Sequence, residues 1–339
     1  MTCYSAVRRL LFKMDAEKSH NLTLKLLQLS AKLPFFGSLT PAIPQNPVSI
    51  MGLTFANPLG LAAGLDKNGD AIDALGAMGF GFIEVGTVTP RPQPGNPKPR
   101  IFRLTADKAI INRLGFNNKG VDYLCQRLAK RRYQGILGVN IGKNVDTPLE
   151  KAIDDYKIGL QKVYALADYI TINISSPNTA NLRSLQSGEL LEALLSTLKE
   201  QQIALSQHTQ RYVPLVVKIA PDLSFDELKN IAEQLITYKV DGVIATNTTV
   251  ARPLLRDKQA NETGGLSGEP LMAPATHILE AMHQLLADKI PLIGVGGVMS
   301  SDNAMAKMAA GAKLVQIYTG LIFQGPQLVR EILQTLSST

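Results

Sequence analysis

The chain has 339 residues, of which 45% are hydrophobic and 19% are charged, and this composition excludes a disordered or fibrous protein. The two cysteines, Cys3 and Cys125, form no CxxC pair and the four histidines are scattered, so we expect neither a disulfide framework nor a metal site. The net charge is +7, and residues 1–36 alone carry six basic and two acidic side chains. This basic surplus favours an anionic partner.

Two short helices are predicted at the N-terminus. Apolar residues recur at helical spacing over 7–14 and again over 22–33, and Asp15 is placed to cap the second helix. Prolines between residues 34 and 47 then predict a linker. The helix pair, residues 1–40, either packs on the main body or lies as a basic amphipathic hairpin on a membrane surface. No apolar run reaches the roughly 18 residues of a membrane span, and we expect no secretory signal.

From residue 55 onward, short apolar runs alternate with helical patterns. The runs are rich in Val, Ile and Gly, which is typical of strands buried on both faces of a parallel sheet. They are 58–63, 80–86, 137–143, 169–175, 214–220, 242–247, 291–296 and 314–318. Helices are predicted between them, among others over 148–167, 188–206, 224–238 and 302–310, and the third begins with a capping-box pattern, Ser224 and Glu227. Eight such units predict a (β/α)8 TIM barrel over residues 41–339 with an N-terminal two-helix extension, and a doubly wound open sheet is the alternative.

Polar residues and glycines follow the predicted strands at their carboxyl ends, where active sites of such barrels lie. Their number at one relative position favours a site over ordinary loop residues. Gly296 and Gly297, with a helix opened by Ser300, favour a phosphate-bearing ligand over a simple tight turn. Five prolines within residues 90–99 predict a stiff, extended segment that either lies on the surface or shapes a wall of the site.

Lys218 lies inside an apolar run, where an unpaired ammonium is costly. It either pairs with a barrel carboxylate such as Glu84 or faces negative charge that develops on a cofactor or substrate, and we favour the second interpretation. Amides offer both donors and an acceptor, which suits a flat ring such as a pyrimidine or a flavin edge. The amides of this kind are Asn112, Asn140, Asn173, Asn178 and Asn247.

Two other functions fit the same residues. An isomerase or aldolase acting on a phosphorylated metabolite would use the glycine pair for phosphate and Lys218 as a Schiff-base lysine. A membrane adaptor would use the basic hairpin and keep the barrel as a scaffold. Nucleic-acid binding is not expected, because basic and aromatic residues are not interleaved.

Several segments resemble the class 2, quinone-dependent dihydroorotate dehydrogenases. These are 57–67, 86–96, 112–118, 173–178 and 264–268, and the resemblance covers nearly the whole chain, including the N-terminal helices. It implies an FMN enzyme of pyrimidine biosynthesis that oxidises dihydroorotate to orotate. Ser176, which the residues alone indicate only as an ordinary loop hydroxyl, is then the base that removes the C5 proton while C6 gives a hydride to FMN. The loop over 177–188 would close over the ring, and Lys218 would offset charge on the flavin.

The resemblance also assigns binding residues. The FMN positions are Ala63, Gly64, Leu65, Asp66, Lys67, Thr87, Asn140, Asn173, Lys218, Thr246, Gly268, Gly297, Tyr318 and Thr319. The substrate positions are Lys67, Asn112, Arg113, Leu114, Gly115, Phe116, Asn173, Asn178, Asn247 and Thr248, with Lys67 paired to the orotate carboxylate.

The resemblance implies that a membrane quinone takes up the electrons. Arg103 and Tyr318 match polar positions at the inner end of the family's quinone tunnel. The apolar faces of the N-terminal helices would form the passage, and their basic residues would meet anionic lipid head groups. We therefore expect peripheral association, without a span, on the cytoplasmic side of a bacterial inner membrane.

Overall fold

A ring of short parallel strands forms the centre of the computed structural model, which describes residues 3–31 and 46–338. In chain order the strands are β1 (Val48–Ile50), β2 (Leu53–Phe55), β3 (Leu59–Leu61), β4 (Phe82–Val88), β5 (Ile101–Leu104), β6 (Ala109–Asn112), β7 (Ile136–Ile141), β8 (Tyr169–Asn173), β9 (Leu215–Ile219), β10 (Gly242–Ala245), β11 (Gly265–Gly268), β12 (Leu292–Val295) and β13 (Ala312–Ile317). The helices are α1 (Cys3–Lys13), α2 (Ala16–Ser30), α3 (Ile72–Gly76), α4 (Val121–Leu128), α5 (Ala152–Val163), α6 (Gly188–Thr209), α7 (Phe225–Thr237), α8 (Met272–Leu286), α9 (Ser301–Ala309), α10 (Thr319–Gln324) and α11 (Gln327–Leu336).

Within the described residues, eight strands close into a barrel in the order β3, β4, β7, β8, β9, β10, β12, β13, and all neighbouring pairs are parallel. Each of them overlaps one of the predicted apolar runs. Every residue of β4, β8 and β9 is buried, because helices cover the outside of the ring and side chains fill its inside. The predicted (β/α)8 barrel is confirmed, and the open doubly wound alternative is wrong.

The predicted helices are present with shifted ends. The patterns over 148–167, 188–206, 224–238 and 302–310 correspond to α5, α6, α7 and α9. The capping box is formed at α7, where the Ser224 hydroxyl accepts from the Glu227 N–H and the Glu227 carboxylate accepts from the Ser224 N–H.

The amino end of the barrel is closed by the antiparallel β1–β2 hairpin. Phe55 from this hairpin packs edge-on against Phe82 inside the ring, with 5.2 Å between ring centroids, and Tyr169 continues the cluster. Because this end is filled with apolar side chains, an internal cavity can open only at the carboxyl ends of the strands.

A second small sheet was not predicted. Strands β5, β6 and β11 pair antiparallel and lie outside the ring. The proline-rich segment that precedes β5 reaches the site only indirectly, since the Asn96 amide donates to the carbonyls of Arg113 at 2.9 Å and Asn178 at 3.3 Å. It therefore supports a wall of the site from behind.

The two predicted N-terminal helices are present, and Asp15 caps α2 by accepting from the Lys18 N–H at 2.9 Å. Both pack on the barrel: Arg103 donates to the carbonyl of Leu11 at 3.0 Å, and Glu17 binds Arg100. The boundary at residues 40 and 41 and most of the proline linker lie outside the described residues.

The Glu17–Arg100 pair fixes α2 to the barrel. Two guanidinium nitrogens of Arg100 lie 2.7 and 3.1 Å from the two carboxylate oxygens of Glu17, and both side chains are buried. Burial acts to raise the pKa of Glu17, but the bonds and charge from Arg100 and Lys98 outweigh it and hold the pKa below its usual value. The pair therefore stabilises the docked helix at neutral pH, and this contribution is lost as pH falls through the lowered pKa.

We expect Arg100→Met to weaken the docking of α2 by about 3–5 kcal/mol, because it leaves a buried carboxylate without its main partner. The measurement is amide hydrogen exchange in α2 at neutral pH, and the difference from the wild type should shrink in acid. Arg132→Met is the matched control, since Arg132 also contacts α2 and pairs with Asp73, but is largely exposed. Its effect should stay below about 1 kcal/mol. Equal effects of the two substitutions would contradict the assignment.

Candidate active site

A cavity opens at the carboxyl ends of the barrel strands, with about 970 Å³ of empty space including its mouth. Most of the site residues predicted from the sequence line it. They are Ala63, Gly64, Lys67, Thr87, Asn112, Leu114, Gly115, Phe116, Asn173, Ser176, Asn178, Lys218, Thr246, Asn247, Thr248, Gly268, Gly297, Tyr318 and Thr319. Closure of the ring brings these positions together from distant parts of the chain.

Besides Asn140, which is described below, three of the predicted FMN and substrate residues do not line this cavity. The Asp66 carboxylate accepts from the backbone N–H groups of residues 70 and 71 at 2.9 and 2.7 Å, and so fixes the turn before α3. Arg113 pairs with Glu262 at 2.7 Å. Leu65 lines a second cavity, described below. These side chains support the site from outside.

Lys218 reaches the cavity from β9 and is buried in the barrel wall. Among the described residues no hydrogen-bond or ion-pair partner meets its ammonium group. The expected alternative partner, Glu84, instead accepts from Asn140 at 2.8 Å, Tyr169 at 2.9 Å and Gln316 at 2.8 Å. Burial lowers the pKa of Lys218, and the charge of Glu84 only partly opposes this effect. The site therefore presents a buried amino group without a bonded partner, and an electron-rich or anionic part of a ligand would stabilise its protonated form.

A continuous set of hydrogen bonds orients the amides. The Asn173 amide donates to Thr87 Oγ1 at 2.9 Å and to Asn140 Oδ1 at 3.1 Å, and the Asn247 amide donates to Ser175 Oγ at 3.0 Å. Asn140 is fully buried and does not line the cavity, so it orients its neighbours from below. The amides that face the cavity are thus held in fixed positions before any ligand binds.

Ser176 lies three residues beyond the end of β8 and is buried in the wall of the cavity. Its hydroxyl oxygen accepts from the Asn178 N–H at 3.3 Å, and the Asn178 amide donates to Asn112 Oδ1 at 3.2 Å. The loop predicted to close over 177–188 is only partly free to move, because Leu182 and Leu185 are buried in the main apolar core. The segment able to close over the cavity is therefore shorter than expected.

The turn between β12 and α9 forms another wall. Gly296 and Gly297 have positive φ angles of 110° and 79°, and a Cβ on Gly297 would lie 2.3 Å from the backbone nitrogen of Met272. Only glycine fits there. The turn leads into α9, which Ser300 caps by accepting from the Asn303 N–H. A glycine turn before a helix amino end is a typical phosphate-binding arrangement in such barrels.

Lys67 also lines the cavity, is buried, and donates to the carbonyl of Gly64 at 2.8 Å. Burial, assisted by the charge of Arg100, lowers its pKa to about 8. It is therefore mostly protonated at neutral pH, and an anionic group beside it would be favoured.

A second cavity, largely apolar, lies between the N-terminal helices and the barrel and encloses about 1,210 Å³ of empty space including its mouth. Leu11, Phe12, Leu24 and Leu27 line it from α1 and α2, and Arg103 and Tyr318 add polar groups. Residues common to the walls of both cavities are Asn112, Leu114, Ser267 and Tyr318. The two spaces are therefore separated by a thin shared wall.

Sequence reasoning missed some residues that matter. Gln316 lines the first cavity, and its buried Oε1 has no hydrogen-bond partner within the described residues. Ser267 belongs to the shared wall and accepts from Thr319 Oγ1 at 2.9 Å. His20 lines the second cavity, and burial lowers its pKa to about 4. Side chains alternate between the inside and the outside of the barrel along β13, and this alternation could have indicated that Gln316 points inward. No local sequence pattern indicates that His20 is buried beside the second cavity.

A (β/α)8 barrel that combines a buried lysine, preset amides and a glycine turn before a helix defines a class of proteins that bind a planar, phosphorylated cofactor at the strand ends.

Comparison with known proteins identifies the family. The family model for dihydroorotate dehydrogenase matches residues 46–339. The chain is 57% identical over 336 residues to dihydroorotate dehydrogenase (quinone) of Alkalilimnicola ehrlichii and 54% identical over 335 residues to that of Acinetobacter baylyi, with 98% of this chain and 99% of each relative covered. A crystal structure of DHODH from Eimeria tenella in complex with ferulenol superposes with a TM-score of 0.85 at 38% identity, covering 94% of this chain and 90% of that one. The chain belongs to the dihydroorotate dehydrogenase family.

Members of this family are FMN flavoproteins, and the residues of the cavity fit that cofactor. The unpartnered Lys218 and the orphaned Gln316 oxygen offer groups for the polar edge of a flavin ring. The turn at Gly296 and Gly297 offers backbone to a phosphate. The Schiff-base enzyme and the membrane adaptor are set aside, because the family is one of FMN-dependent oxidoreductases.

Proposed function

We propose that this protein oxidises dihydroorotate to orotate, with Ser176 as the base and FMN as the hydride acceptor, and passes the electrons to a membrane quinone. The observation that carries this proposal is the convergence of Ser176, Lys218 and the oriented amides on one buried space. The names of the relatives, dihydroorotate dehydrogenase (quinone), support the same substrate and acceptor.

Oxidation of the substrate removes a proton from C5 and a hydride from C6. FMN, when bound, supplies the hydride acceptor and later releases the electrons. Ser176 Oγ takes this proton and gives up its own hydroxyl proton to water at the open mouth of the cavity, so the hydroxyl is restored. The Asn178 N–H that points at this oxygen stabilises the alkoxide form, since a hydrogen bond to the charged state favours it.

Other residues hold the substrate and the charge. Lys67 pairs with the substrate carboxylate, because it is a buried basic group in the cavity wall. Asn112, Asn178 and Asn247 match the ring amides with donors and acceptors. Lys218 stabilises negative charge that develops during hydride transfer, and it needs no rearrangement to do so.

The second cavity is the proposed quinone passage. Its apolar lining suits a hydrophobic acceptor, and Tyr318 belongs to both cavities, so the acceptor can approach the first cavity without entering it. Burial raises the pKa of Tyr318 to about 12, so its hydroxyl stays protonated and remains a hydrogen-bond donor. Substrate and quinone would thus use separate entrances.

The outer surface of α1 and α2 is the proposed membrane contact. No helix within the described residues is long and apolar enough to cross a membrane. The outward stripes are apolar and exposed, with Leu10 at 68% and Leu26 at 54%, and for these residues the exposure favours a membrane surface over packing on the main body. Exposed Lys13, Lys18 and Lys25 accompany them. Partial burial of these stripes among anionic head groups, on the cytoplasmic side of a bacterial inner membrane, would place the second cavity at the lipid surface.

Ser176→Ala tests the assignment of the base. We expect flavin reduction by dihydroorotate to slow by about 10²–10⁴-fold, as is typical for loss of a general base, while FMN and orotate still bind. Anaerobic stopped-flow measurement of flavin bleaching gives the rate, and the flavin spectrum reports orotate binding. Ser184→Ala, on the same loop, serves as the control and should reduce normally. A near-normal rate in Ser176→Ala would show that another group takes the proton.

Leu10→Glu combined with Leu26→Glu tests the membrane contact. Both side chains are exposed, so folding and flavin reduction should not change, but binding to phosphatidylglycerol vesicles should fall by at least about tenfold because charge replaces inserted apolar surface. Co-sedimentation with the vesicles measures binding. Leu254→Glu, at a fully exposed position on the barrel, is the control. Unchanged vesicle binding by the double variant would overturn the proposed surface.

A further inference from the structure

The loop after Ser176 has a firmly anchored second half. Residues Leu182–Gln186 form a 3₁₀ helix, and its two leucines are buried in the main apolar core. The side-chain oxygen of Gln186 accepts from the Ala220 N–H at 2.9 Å, at the end of β9. This half of the loop is therefore a fixed platform beside the site.

Arg183 projects from this platform and joins three neighbouring strand ends. Its Nε donates to the Ser175 carbonyl at 3.1 Å, one nitrogen of its fork donates to Asp222 Oδ2 at 2.7 Å, and the other donates to the Thr248 carbonyl at 3.0 Å. Ser175 follows β8, Asp222 follows β9 and Thr248 follows β10. The planar guanidinium can make these three bonds together because its donors point in different fixed directions.

Asp222 extends this arrangement to the next residues of the chain. Its Oδ2 also accepts from the Val250 N–H at 3.1 Å, and its Oδ1 accepts from the Thr249 hydroxyl. The side chains of Arg183 and Asp222 are 25% and 18% exposed, so solvent screens the pair only in part. The carboxylate thus fixes the segment after β10 to the same platform.

We propose that Arg183, with Asp222, is a positioning residue for the reaction that the proposed function assigns to this site. It does not line the cavity, but it holds the carbonyl immediately before the base Ser176 and the carbonyl of Thr248, whose neighbour Asn247 faces the substrate space. Arg183 thereby sets the distance between the base and the ring-binding side of the cavity. A displacement of about 1 Å between such groups can cost about 10²-fold in rate.

The test uses the FMN-loaded enzyme and the variants Arg183→Met, Asp222→Asn and their combination. Anaerobic stopped-flow mixing gives the limiting rate of flavin bleaching at saturating dihydroorotate, and spectral titration gives the Kd for orotate. We expect the limiting rate to fall at least about tenfold while the Kd changes by less than about threefold, because Lys67 and Asn112, which Arg183 does not contact, still hold the ligand. The double variant should be about as slow as the slower single variant, since both substitutions remove the same Arg183–Asp222 ion pair.

Arg211→Met is the matched control. Arg211 also pairs with an aspartate, Asp168, at 2.8 Å and donates to the Ala167 carbonyl at 2.8 Å, but it does so at the opposite end of β8. Its limiting rate should equal that of the wild type. FMN content and thermal midpoint show whether each variant is folded, and Asp222→Asn decides the outcome if Arg183→Met does not fold.

The proposal is overturned if folded Arg183 and Asp222 variants reduce flavin at the wild-type rate, if only the orotate Kd changes, or if Arg211→Met slows the reaction equally. Failure of the proposed function is a separate outcome, because then the flavin of the wild type itself would not be bleached by dihydroorotate.

Discussion

The structure depends on a buried cation that the protein leaves without a bonded counterion. Lys218 stands in the wall of the barrel, while Glu84, the nearby carboxylate, is committed to three neutral donors. Removing an ammonium group from water without a partner is costly. We therefore infer that a bound group interacts with Lys218 in the functional protein. The glycine turn, the oriented amides and the closed floor of the barrel all serve the same space. Burial of Lys218 lowers the stability of the folded protein, but the site is charged and ordered before the reaction begins.

The first and second cavities differ in the side chains that line them and are separated by one shared wall. The first cavity presents polar groups from Ser176, Lys67 and the amides, whereas the second is largely apolar and lies under α1 and α2. Tyr318 belongs to both sides. Under the proposed function, this division would let a charged, water-soluble substrate and a hydrophobic acceptor reach the same cofactor from different directions. The Glu17–Arg100 pair therefore has a functional consequence, since it holds the helices that enclose the apolar side.

Local sequence patterns predicted the barrel strands, the capping box of α7 and the strand ends that line much of the cavity, because strand ends in a parallel barrel necessarily converge. They could not predict which side chains turn away. Asp66 follows a strand end like its neighbours, yet its carboxylate binds backbone amides of the next turn. The outer sheet formed by β5, β6 and β11 and the burial of His20 depend on contacts between segments far apart in sequence. The role proposed for Ser176 as the base rests on family resemblance alone, since a serine hydroxyl has no local feature that marks it as a base.

The central claim is that the barrel holds FMN next to the substrate space, where Lys218 stabilises the negative charge that develops during hydride transfer. Anaerobic titration of the purified wild-type protein with dihydroorotate tests this most directly. The account predicts a yellow protein with one FMN per chain whose visible absorbance is bleached in proportion to the orotate formed. A colourless protein, or bound flavin that dihydroorotate leaves oxidised, would contradict it.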